Sequence, residues 1–136
     1  MWNTTEGFAG LARRYAEAAG LREIAEDDGL LARTVQNWGA KLGFRGMGRT
    51  PYDMFMLRFH DYLKENTAFQ ADCEKIRLEF PPLTTWMVFT DGVAHAALSG
   101  QYALEQTMLI PPGALVAPQV APYRILESIA GRALVS

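Results

Sequence analysis

Two histidines, His60 and His95, and one cysteine, Cys73, are the only imidazole and thiol groups in this chain of 136 residues. A single cysteine can neither close an internal disulfide nor supply the paired thiolates of a structural zinc site. Two histidines exclude a three-histidine centre, so any metal would need carboxylates or ligands from outside the chain. His60 is followed by Asp61 and flanked by Arg58 and Lys64. Adjacent residues on a helix point ~100° apart, so this pair does not grip one ion from one face. The residues favour a half-buried histidine whose neighbouring Asp61 hydrogen-bonds to the chain. His95 is different: Ala94, Ala96 and Ala97 surround it and Ser99-Gly100 follows. Small neighbours leave room for an ion or ligand beside the ring, although taken alone such a histidine is more often structural. The glycine-rich, basic run Phe44-Arg45-Gly46-Met47-Gly48-Arg49 invites an anion-binding reading, but it lacks a Gly-Lys-Ser/Thr ending and reads better as a connecting loop.

Composition narrows the classes that these residues can serve. The chain is 49% apolar and 21% charged, enough to bury one core and too short for two independent domains. A net charge of −2 with a pI near 5.7 gives no electrostatic footprint for nucleic acid. No window approaches the ~20 apolar residues of a membrane span, and the first residues lack the basic and apolar regions of a secretory signal. The default expectation is therefore a soluble, cytoplasmic protein. No basic amphipathic helix long enough for firm membrane docking is evident.

The elements that must position these groups follow from periodicity. Phe8, Leu11, Tyr15 and Ala18 or Ala19 predict a helix from Thr4 to Gly20, capped by Thr5 and ended by Gly20. Leu31, Val35, Trp38 and Leu42, between Asp28 and Gly43, predict a second. Thr50-Pro51-Tyr52-Asp53 is a helix start, with a Thr cap, Pro in the first turn and a carboxylate facing free amides. That helix should run to about Lys64 with Phe55, Phe59 and Leu63 as its buried stripe, followed by a shorter piece through Ala71. Past Pro81-Pro82 the period becomes extended. Thr84–Thr90 and Gln101–Ile110 predict strands, and residues 122–131 a final helix before Gly131. Helices, then strands, then a helix make the class α+β with antiparallel pairing.

Strand, Asp91-Gly92 turn, His95, small-residue turn and Gln101-Tyr102-Ala103-Leu104 together resemble the end of the double-stranded β-helix of iron(II)- and 2-oxoglutarate-dependent dioxygenases. Within that superfamily, five segments are similar to the Kdo (3-deoxy-D-manno-oct-2-ulosonic acid) hydroxylases. They are Arg49–Asp53, Met56–Asp61, Thr85–Asp91 with His95-Ala96, Gly100–Thr107 and Pro122–Glu127. The first 48 residues match more loosely. The resemblance implies a C-terminal part of a jelly-roll with N-terminal covering helices. It also implies hydroxylation of the outer Kdo sugar of lipopolysaccharide at carbon 3, with iron(II) and 2-oxoglutarate as cofactors. His95 would then be a metal ligand, Gln101 and Thr107 would lie at 2-oxoglutarate, and His60 and Asp61 at the sugar. A Kdo-lipid A substrate implies a peripheral approach to the inner membrane.

Two departures accompany the resemblance. No His-x-Asp or His-x-Glu occurs in the chain, and Gln101 stands where many dioxygenases carry an arginine for the oxoacid. A neutral amide can hydrogen-bond that carboxylate but not neutralise it. The expectation is thus a chain with an incomplete iron site that is inactive alone, associating with a missing N-terminal half or with itself. The alternative is a non-catalytic glycan-binding or accessory module derived from the same fold.

Overall fold

A computed structural model describes residues 1–21 and 49–135 of the chain. The expected helix around Leu31–Leu42 and all but Arg49 of the glycine-rich loop lie outside the described residues. The described elements are β1 (Trp2–Gly7), α1 (Phe8–Tyr15), α2 (Pro51–Glu65), α3 (Thr67–Asp72), β2 (Lys75–Arg77), β3 (Val93–Ala96) and α4 (Pro122–Ala130). The strands form one antiparallel sheet in the order β2-β1-β3. Mixed helices and a small antiparallel sheet agree with the α+β expectation.

Helix α2 starts as its sequence dictates. The Thr50 hydroxyl accepts from the Asp53 amide at 3.1 Å, and the Asp53 carboxylate accepts from the Thr50 amide at 3.0 Å, so two otherwise orphaned donors are satisfied reciprocally. Its buried stripe is Phe55, Phe59 and Leu63, as the spacing predicts. Asn66 then serves both sides of a corner: its backbone amide closes α2 on Tyr62, and its side chain accepts from Phe69 to open α3. Gly131, with φ of 68°, ends α4 in the left-handed region where a Cβ would be strained.

The core is largely helical. Phe8, Leu11 and Ala12 of α1 meet the α2 stripe, Phe69 of α3 and Leu126 of α4, and Leu134 of the tail closes the cluster. Phe55 and Phe59 stack at 5.2 Å between ring centroids, and Phe8 meets Phe59 edge-on at 6.0 Å. The tail is held from two sides. The Leu134 carbonyl accepts from the Tyr52 amide at 3.4 Å, and the Leu134 amide donates to Glu127 at 3.0 Å.

Three expectations need correction. The first helix begins at Phe8 rather than Thr4, because Trp2–Gly7 pairs as the central strand and Thr4 and Thr5 take part in the sheet instead of capping. Residues 84–89 adopt no regular structure, and the strand in that region is Val93–Ala96, around His95 itself. Gln101–Ile110 is likewise irregular, and its apolar side chains Tyr102, Leu104 and Leu109 stand almost fully exposed. Both segments have strand-forming composition. A strand, however, exists only through a partner's backbone, and no described strand lies beside either of them.

Candidate functional site around His95

Strand β3 carries His95 in a defined setting. Side chains alternate along a strand, so Ala94 and Ala96 share one face and Val93 and His95 the other. Ala94 packs against the core cluster, which turns His95 to the face away from the helices. The His95 Nδ1 lies 3.1 Å from the Val93 carbonyl oxygen. A carbonyl only accepts, so the contact places a proton on Nδ1, and the neutral ring of that tautomer has its lone pair on Nε2. A ring held in this tautomer by a backbone carbonyl is oriented as metal-ligating histidines are.

Across the sheet the register sets Asn3 opposite His95 on one side and opposite Ile76 on the other. Directly opposed residues of antiparallel strands share a face. The Asn3 Oδ1 is buried and has no hydrogen-bond partner. Leaving such a carbonyl unsatisfied costs about 1–3 kcal/mol.

The strand is anchored just before His95. The 3₁₀ turn Thr90–Gly92 precedes it, and the Tyr52 hydroxyl of α2 donates to the Asp91 carboxylate at 2.8 Å. Burial, and then the charge of Asp91, push the Tyr52 hydroxyl well above the ordinary tyrosine pKa, so it stays a donor. Tyr52 also meets Tyr123 of α4 edge-on at 6.5 Å. We expect Tyr52→Phe to cost about 1–2 kcal/mol, since it strips a partner from a charged acceptor. Urea unfolding measures this, and the His95 ring resonances should shift because their strand loses its tie to α2.

The other expected site residues are placed apart from this arrangement. His60 and Asp61 are exposed on α2, which corrects the half-buried reading of His60: Phe59 and Leu63 take the core face and His60 turns outward. Gln101 and Thr107 are exposed in the irregular stretch, where the Thr107 hydroxyl donates to Glu105 at 3.3 Å. Among the described residues no group of three or more His, Cys, Asp or Glu side chains is placed to hold a metal ion. The described residues therefore do not by themselves complete a three-ligand metal site, and His95 is the one expected ligand among them.

Sequence reading missed Asn3 and the Tyr52–Asp91 tie. Asp91-Gly92 signalled a turn but not its anchor, and no local signal marks Asn3, whose meaning comes from register alone. No helix among the described residues is long and apolar enough to cross a membrane. No curated protein and no solved structure gave a match to the chain. The family model for 3-deoxy-D-manno-oct-2-ulosonic acid (Kdo) hydroxylase matches residues 1–133, including the first 48 residues, where the motif resemblance was looser. With nearly its whole length matched, the chain belongs to the Kdo hydroxylase family.

Proposed function

We propose that this chain contributes His95 and pocket residues to an iron(II)- and 2-oxoglutarate-dependent oxygenase that hydroxylates the outer Kdo sugar of lipopolysaccharide at carbon 3, with an iron site that its described residues leave incomplete. Membership of the Kdo hydroxylase family supports the substrate class. The observation that carries the metal reading is the contact of the His95 Nδ1 with the Val93 carbonyl oxygen, which orients the ring as in metal-ligating histidines. Iron(II) with 2-oxoglutarate would supply the oxidising power for hydroxylation. His95 would hold the metal, Gln101 and Thr107 would offer neutral hydrogen bonds to the oxoacid, and His60 and Asp61 would contact the sugar. A carboxylate ligand for the iron and the cation facing the oxoacid come, in this reading, from outside the described residues. The exposed apolar stretch is then where the rest of such a domain, or a second copy, packs. The protein works in the cytoplasm, peripheral to the inner membrane that carries its substrate.

The test is conversion of 2-oxoglutarate to succinate by the purified chain supplied with iron(II) and Kdo-lipid A. The expected result is no turnover, because one imidazole holds iron(II) weakly. Clear turnover that disappears in His95→Ala would show a complete site and overturn the partial one. The incomplete ligand set also favours a second reading, a glycan-binding module without catalysis. Kdo-lipid A binding that is indifferent to a chelator would select it.

A further inference from the structure

Resting on the reading of His95 as a metal ligand, we propose that Asn3 is a second donor of the same site, its side-chain oxygen facing a divalent cation held by the His95 Nε2. Two independent observations converge on this. Asn3 and His95 are directly opposed in the β1–β3 register and so share the sheet face turned away from the helical core. Each also presents an acceptor that the described protein leaves unused. The Asn3 Oδ1 is buried without a partner, and the His95 Nε2 is the lone-pair nitrogen of the tautomer in which Nδ1 donates to the Val93 carbonyl. With the proton on Nδ1, the Nε2 and Oδ1 atoms bring no proton to one another. They are satisfied together by a cation, or by a water molecule bound to it, and an imidazole nitrogen with an amide oxygen suits a borderline divalent ion. The third member of the row, Ile76, is apolar and offers no competing donor.

The experiment is a titration of the isotope-labelled full chain with Mn(II), which stands in for iron(II) and broadens the resonances of nearby nuclei. The expected result is selective broadening of the Asn3 side-chain amide and the His95 ring at the same metal concentrations. Asn3→Leu should weaken binding about tenfold, the scale on which residues next to a ligand act. Asn3→Asp, which keeps an oxygen in place and adds charge, should bind at least as tightly as the wild type. A purely structural Asn3 would not give this opposite response. Broadening confined to His95, or unchanged affinity in Asn3→Leu, overturns the role of Asn3 and leaves His95 standing. Absence of broadening at His95 overturns both. If Asn3→Leu does not fold, the wild-type broadening pattern and the Asn3→Asp affinity decide.

Discussion

Phe55→Ala should cost about 3–5 kcal/mol and lower the urea midpoint of unfolding steeply at 25 °C. Phe55 is 0% exposed, stacks on Phe59 and lies in the cluster where all four described helices meet. Deleting its ring removes the transfer free energy of the side chain and opens a cavity. Neighbours fixed on separate helices cannot close that cavity fully. Domains of this kind have only about 5–15 kcal/mol of net stability, so one such loss removes a large share of it. Urea denaturation followed by far-ultraviolet circular dichroism measures it. The same substitution at His60, exposed on the opposite side of α2, should change stability by less than about 0.5 kcal/mol. That contrast separates the packing role of the helix from any role in substrate contact.

The second large effect lies at Glu127. Burial alone would raise its pKa, but the amides of Leu134 and Val135 and the guanidinium of Arg124 outweigh burial, and the carboxyl sits below the ordinary carboxylate value. A carboxylate whose folded pKa is depressed adds stability that is fully present above its unfolded pKa. That contribution is lost as pH falls through the folded value. Glu127→Ala should therefore cost about 2 kcal/mol at pH 7, by orphaning amides that lead Leu134 into the core. Glu127→Gln keeps an acceptor for the Leu134 amide and loses only the charge. Its deficit relative to wild type should be present at pH 7 and should close as pH falls through and below the usual carboxylate range. Chemical denaturation across that range, with exchange of the Leu134 amide as a local reporter, tests both the sign and the window.

What could be read in advance was what short segments decide for themselves. The Thr50–Asp53 cap, the Phe55, Phe59 and Leu63 stripe and the helix stop at Gly131 depend on neighbours within one or two turns, and each lies where its residues put it. Strand β1 was invisible because Trp2–Gly7 becomes a strand only by pairing with Lys75–Arg77 and Val93–Ala96, far along the chain. Thr84–Phe89 and Gln101–Ile110 show the converse, strong strand composition with no described strand to pair with. The site divides in the same way. The small residues around His95 marked it locally, whereas Asn3 and the Tyr52–Asp91 bond exist only once strands and helices are assembled.

The irregular stretch has a further consequence. From Leu78 to Tyr123 the chain contains no lysine and no arginine. A protease that cuts after basic residues therefore meets this long, largely exposed region as one uncut peptide between Arg77 and Arg124. An enzyme that cuts after aromatic residues meets Trp86, Phe89 and Tyr102, all exposed. The two enzymes divide the same molecule along opposite lines, one sparing the surface that the other consumes. The difference in their digests reports whether that surface is covered.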